Sequence, residues 1–194
     1  MWLFRLVIAC NFFLFQLRFK VIRASRLIHV FAVAALVFIP SFAQAVSVGD
    51  QAPSFSLPLL NDDKNVVNLD SSKGKVRYLD FWASWCAPCR LSLPAIFELQ
   101  SELGTNRFEV IAVNLDEKPE NAQRFLRRYA PEQNVLSDPK GKVAEKYELP
   151  GMPTSFIISG EGEIIHRHVG FKETDIGVIR REIMVLLGNN DIEN

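Results

Sequence analysis

Cys86 and Cys89 stand two residues apart in the stretch FWASWCAPCRLSLP, residues 81–94. A close cysteine pair can staple a fold, bind a metal or exchange electrons, and the three uses demand different surroundings. Stapling fails on magnitude. So small a loop removes little chain entropy from the unfolded state, and a domain of the length that follows residue 45 can build its own core. Metal binding fails on ligand count, since a tetrahedral site needs about four ligands. Beyond residue 45 the chain offers two cysteines, His166 and His168. The two histidines alternate with Arg167 on a predicted strand, which puts them together on one exposed face.

Electron exchange remains, and it needs one sulfur that ionises readily. A thiol at a helix N-terminus meets unpaired backbone N–H groups and the positive end of the helix dipole, both of which favour the thiolate. The expected arrangement places Cys86 at such a terminus and Cys89 one turn along, less exposed and within reach of a disulfide. Pro88 between them costs no helix hydrogen bond and stiffens the turn.

The surrounding elements must supply that terminus. Residues 75–82, KVRYLDFW, are rich in β-formers and almost continuously apolar, as a buried central strand would be. After the cysteines, Leu91, Ile96, Leu99 and Leu103 mark a helical apolar face, with Pro94 inside it and Gly104 at its end. Residues 108–115 read as a second strand, completing a βαβ unit. A helix is predicted over 119–130, opened by Pro119, with Ala122, Phe125, Leu126 and Tyr129 on one face. A short helix follows near 143–147. Strands at 154–159 and 163–169 flank Gly160-Glu161-Gly162, a hairpin signal. Ile176, Ile179, Ile183, Leu186 and Leu187 give a last helix, closed by Gly188. With a small hairpin in the lead-in after residue 46, the order is hairpin, β, α, β, α, β, β, α. That is an α/β domain, a mixed sheet flanked by helices.

Residues 1–45 differ in kind. They hold five basic residues and no acidic one, and an apolar run after Arg23 and Arg26 leads to Ala43-Gln44-Ala45. A positive flank, an apolar core and a small-x-small ending make a secretory signal, expected to end at residue 45; the alternative is an uncleaved N-terminal membrane anchor. The chain therefore reads as a targeting segment, 1–45, and one domain, 46–194. Without the five basic residues of the first segment, the domain keeps 17 basic against 22 acidic residues, a formal charge of −5. Nucleic-acid binding, which needs clustered positive charge, is disfavoured.

The WCAPC motif after a β-strand, with Gly151-Met152-Pro153-Thr154-Ser155-Phe156 about 65 residues later, resembles the thioredoxin fold. The lead-in APSFSLPLL and the inserted 119–130 helix make residues 47–188 similar to exported TlpA/ResA/DsbE-type thiol–disulfide oxidoreductases. The resemblance implies a thioredoxin-like fold with an N-terminal hairpin extension and an inserted helix. It implies a redox-active Cys86–Cys89 disulfide as the sole redox group, with no further cofactor and no metal. By the same resemblance Pro153 is a cis-proline facing the active site, and the Met152 backbone pairs with a client strand. Trp85, Ala87, Pro88 and Thr154 would complete the client-binding surface, with Trp82 and Trp85 as an apolar rim, although strand packing alone would also explain Trp82.

Asp80, six residues before Cys86, matches the buried acid of thioredoxin. A carboxylate in a central strand is costly without a partner or a task. Burial would raise its pKa and let it take the proton of Cys89. The alternative is a strand-end Asp that reaches water. One departure stands out: several ResA- and DsbE-type members carry a glutamate three residues after the second cysteine, where this chain has Ser92.

The function expected is a periplasmic reductase of disulfide-bearing client proteins of cytochrome c or copper-site maturation type, recharged by a membrane thiol donor of DsbD/CcdA type. A disulfide-forming oxidase and a redox module docking on a copper metallochaperone are the alternatives. Ala87-Pro88 resembles the dipeptide of reducing members more than the His-containing pair of strong oxidants. A peroxiredoxin is disfavoured because Ala83 stands where the activating threonine would be.

Overall fold

The computed structural model describes residues 46–130 and 134–189, so the expected targeting segment over residues 1–45 lies outside the described residues. Seven strands form one mixed sheet: β1 (Ser56–Leu59), β2 (Asp62–Asn68), β3 (Val76–Trp82), β4 (Phe108–Asn114), β5 (Val135–Ser137), β6 (Thr154–Ile158) and β7 (Ile164–Val169). Their spatial order is β2-β1-β5-β4-β3-β6-β7. Four helices join them: α1 (Cys89–Leu103), α2 (Pro119–Tyr129), α3 (Lys142–Lys146) and α4 (Asp175–Asn189). A 3-10 turn over Leu69–Ser72 precedes β3. Among the described residues no helix is long and apolar enough to cross a membrane.

β3 is the axis of the domain. All seven of its residues are buried, which is why its sequence shows little polar alternation. It pairs in parallel with β4 and antiparallel with β6. Its side chains alternate between two apolar clusters. Val76, Tyr78 and Trp82 join residues of α1, α2 and α4 on one face. Leu79 and Phe81 join the lead-in and Val143 and Tyr147 on the other. Along α1 the buried residues are Cys89, Ser92, Leu93, Ile96, Phe97 and Leu99. Leu91, expected on that face, is 47% exposed, because the face runs through positions 92, 93 and 96, roughly a hundred degrees per residue away from it.

The sheet contains one strand that the pattern did not announce. β5 has only three residues, too few for a period to register. It pairs in parallel with β4 and touches β1 through Leu59–Leu136, and so ties the N-terminal hairpin to the main sheet. The last helix also runs to Asn189, one residue past the glycine expected to close it.

His166 and His168 do share one face of β7, with their rings stacked at 6.2 Å. That face is half covered, however. His166 Nδ1 lies 3.3 Å from Glu182 and His168 Nε2 lies 3.1 Å from Asp175, both on α4. The expectation of an open face fails because the C-terminal helix packs over it.

Candidate active site

β3 ends at Trp82, and the chain turns through Ala83-Ser84-Trp85 before the cysteines. The turn is held by Asp116, just past the end of β4. Its carboxylate, itself buried, accepts the Ser84 amide at 2.9 Å, the Ser84 hydroxyl at 2.7 Å and the Asn114 side-chain amide at 2.8 Å. The Asp116 N–H in return donates to the Asn114 side-chain oxygen at 3.0 Å. This clamp fixes the approach to the cysteines from a residue distant in sequence. Nothing about Asp116 as a letter signalled it, since a polar residue just past a strand end is ordinary in a loop.

Cys86 and Cys89 form a disulfide, with S–S 2.00 Å and Cα–Cα 5.4 Å. Helix α1 begins at Cys89, with Pro88 as its N-cap. Cys86 therefore lies three residues before the first helical residue, which corrects the expectation that it stands at the helix N-terminus with Cys89 one turn along. The reason is the tight bend between them, where the Cys86 amide donates back to Ala83 O and the Arg90 amide to Ala87 O. Cys86 retains 4% exposure and Cys89 none. Around the pair, Trp85 is 66% exposed and Ala87 is exposed, while Pro88 is half-buried. Trp82, expected on the rim, is wholly buried and packs on Phe125 at 4.9 Å between ring centroids. Strand packing claims it, and Trp85 alone of the two reaches the surface.

The second loop of the site precedes β6. The Met152–Pro153 peptide is cis. Pro153 is buried and Met152 half-buried. Pro153 O accepts the Gly170 amide at 2.8 Å, which anchors the loop to the end of β7. Thr154, expected to meet a client, is fully buried and spends its hydroxyl on Gly151 O at 2.7 Å. It shapes the loop from beneath and presents no surface.

Asp80 lies within β3, on the face whose apolar cluster also holds Cys86 and Cys89. It is 1% exposed, and neither carboxylate oxygen has a hydrogen-bond partner among the described residues. It pairs in register with Ala112 and Ser155, so water cannot enter along the strand edges, and the alternative of a solvated strand end is excluded. Strand alternation places it on the side of Tyr78 and Trp82, the face on which Cys86 and Cys89 pack. Burial pushes its pKa up to about 8. Neighbouring Tyr78 is also shifted upward, first by burial and then by the nearby Asp80 charge, and donates its hydroxyl to Ser155 at 2.8 Å. Ser92 is buried too, with its hydroxyl unpartnered among the described residues.

A strand–CxxC–helix unit, a cis-proline loop and a buried acid on the same sheet face as the cysteines define a thioredoxin-like domain built for thiol–disulfide exchange. Residues 47–182 match the redoxin family. The thiol:disulfide interchange protein HelX of Rhodobacter capsulatus is 32% identical over 149 residues, covering 76% of this chain and 81% of that protein. The thiol-disulfide oxidoreductase ResA of Oceanobacillus iheyensis is 35% identical over 119 residues, 60% of this chain and 62% of that one. A crystal structure from Chlorobium tepidum, assigned as thiol:disulfide interchange protein DsbE, superposes with a TM-score of 0.69. It shares 42% identity and covers 74% of this chain and 99% of its own. The chain belongs to the redoxin family, among the thiol–disulfide oxidoreductases of TlpA/ResA/DsbE type.

Proposed function

We propose that the protein is an exported, periplasmic reductase of client disulfides. The observation that carries this reading is the placement of three groups on one side of β3: a sulfur with a little exposure, a sulfur with none, and a buried carboxylate unpartnered among the described residues. In the reduced protein, Cys86 thiolate attacks one sulfur of a client disulfide. The Cys86–client bond forms as the client S–S bond breaks, and the departing client sulfur takes a proton. Cys89 then loses its proton to the Asp80 carboxylate and attacks the sulfur of Cys86. The mixed disulfide breaks, the second client sulfur leaves as a thiol, and two electrons have passed to the client. An acid whose pKa is raised to about 8 is matched to this transfer, because a free cysteine titrates near 8.5.

Met152 and cis-Pro153, across from the sulfurs, would hold an extended client segment, with Trp85, Ala87 and Pro88 as the remaining contacts. The Cys86–Cys89 disulfide serves as the only redox group. The names of HelX and ResA support the exchange chemistry, and the basic, then apolar character of residues 1–45 supports export, with cleavage or membrane tethering as the two fates of that segment. Oxidised protein would be recharged by a membrane thiol donor of DsbD/CcdA type. Clients of cytochrome c or copper-site maturation fit this scheme, the second without recourse to the glutamate that Ser92 replaces.

Variant exchange tests the proposal. Cys86→Ser is expected to abolish disulfide reduction, whereas Cys89→Ser should accumulate mixed disulfides with clients that can be isolated and identified. Preferential alkylation of Cys89 over Cys86 would reverse the roles. Equilibration against glutathione separates the reductase from the oxidase reading. The expected potential lies nearer to about −270 mV than to about −120 mV, and a value above about −180 mV favours the oxidase.

A further inference from the structure

An open groove of about 730 Å³ runs from Trp85 to Met152 and on to α3. It begins at the residue before Cys86 and at the residue before cis-Pro153, so it continues the exchange site away from the sulfurs. Trp85, Leu115, Leu149 and Met152 give it an apolar lining, and the only ionisable residues along it are Glu145 and Glu148. Both are exposed. Among the described residues neither carboxylate is engaged in an ion pair or hydrogen bond. The lysines of the same short helix do not line the groove, and Lys146 is turned to Ser54 O at 3.4 Å.

We propose that this groove selects client segments carrying lysine or arginine beside the reacting cysteine. The inference rests on the reductase reading and specifies its substrate. An aliphatic or aromatic side chain would satisfy the lining but would do nothing for the two carboxylates. A carboxylate side chain would be repelled by them. Lysine and arginine match both parts, because their methylene stems cover apolar surface while the charged head stays at the water boundary. The exposed indole of Trp85 adds a π face for the same cation. The backbone at the groove edge is fixed in place. Glu148 holds a left-handed backbone at φ 45°, and its carbonyl accepts the Arg167 guanidinium at 2.8 Å. Arg167 is itself seated over the Phe156 ring at 5.7 Å.

The experiment uses two disulfide-linked peptides, identical except that arginine or glutamate flanks the cysteine on both sides. Reduction by the full exchange domain is measured as kcat/KM, and the quantity read is the ratio between the two peptides. The wild-type protein is expected to favour the arginine peptide by about 3- to 10-fold, the scale of two exposed charge pairs. The ratio should fall toward one in Glu145→Gln/Glu148→Gln and in about 0.5 M salt, where screening is short-ranged. A ratio of one in the wild type, with both peptides reduced, overturns the inference and leaves the reductase reading intact. Full preference retained in the double variant overturns it as well. Failure to reduce either peptide overturns the reductase reading and this inference with it.

Discussion

β3 carries one basic and one acidic side chain three residues apart, and they meet opposite fates on the two faces of the sheet. Arg77 is 1% exposed, and its two terminal nitrogens donate to Leu69 O at 3.1 Å and Ser159 O at 2.9 Å. It ties the 3-10 turn to the β6–β7 connection. Burial lowers its pKa, but no plausible shift brings a guanidinium to neutrality. Asp80 is as deeply buried and has no partner among the described residues. One charge is enlisted to hold loops together; the other is stranded on the sheet face that carries the disulfide. An unpartnered buried carboxylate is a stability defect unless its proton affinity is used, so the contrast separates a structural charge from one kept for chemistry.

The largest effect should come from Asp80→Asn. The variant should keep the fold and the first attack by Cys86 and lose about 100-fold in resolution by Cys89 near neutral pH, the lower end of the usual range for a positioned proton acceptor. Stopped-flow reduction of a disulfide peptide across pH 6–9 measures it, and the deficit should shrink as pH approaches the thiol's own range. The same substitution changes the stability profile. A carboxyl raised from 3.8 to about 8 binds its proton in the folded state across that interval and not in the unfolded state. Stability therefore falls as pH rises from about 4 to about 8, by roughly 1.4 kcal/mol for each unit of difference. Asp80→Asn should flatten that slope and stabilise the domain most near pH 8. Thermal unfolding at pH 5 and pH 8 reads both signs, and an unchanged slope with unchanged resolution would dissolve the contrast with Arg77.

Arg77→Met should act the other way. It leaves two buried carbonyls without donors, a loss of about 2–3 kcal/mol after relief of guanidinium burial. The expected fall in Tm is roughly 5–10 °C for a domain of this size, with peptide reduction per folded molecule near the wild-type rate. A large fall in exchange rate at full occupancy of the folded state would show that the two faces are coupled. The smallest effect is expected from Asp116→Asn, which keeps one oxygen for the Ser84 amide, replaces the oxygen that accepts the Ser84 hydroxyl by an NH2 group and loses the charge. About 1 kcal/mol of stability and a few-fold in client reduction should go, because a charge-assisted bond becomes a neutral one. The same loss in Ser84→Ala would trace the effect to the turn before Cys86.

Much of this molecule is legible in one dimension, for reasons visible at particular residues. β3 could be read because both of its faces are buried and every position is constrained. α2 could be read because Pro119 opens it and Ala122, Phe125 and Leu126 repeat at helical spacing. β5 could not, since three residues carry no period. The Thr154 role went astray, and of the two readings of Trp82 only strand packing holds, because adjacency to a motif says nothing of direction: one side chain turns into its own loop and the other into the core.

Residue type and spacing alone determined the exchange chemistry: two sulfurs within disulfide reach at a strand–helix junction, and too few partners for a metal. Only the tertiary structure decided which groups attend that chemistry. Asp116 reaches Ser84 across 32 residues, Glu148 lines one groove with Trp85 and Met152, and Asp80 is buried with no hydrogen-bond partner among the described residues. Local spacing can specify a nearest-neighbour contact, but desolvation and long-range contacts are properties of the packed sheet, and they exist only once β4, β6 and the helices have closed over β3.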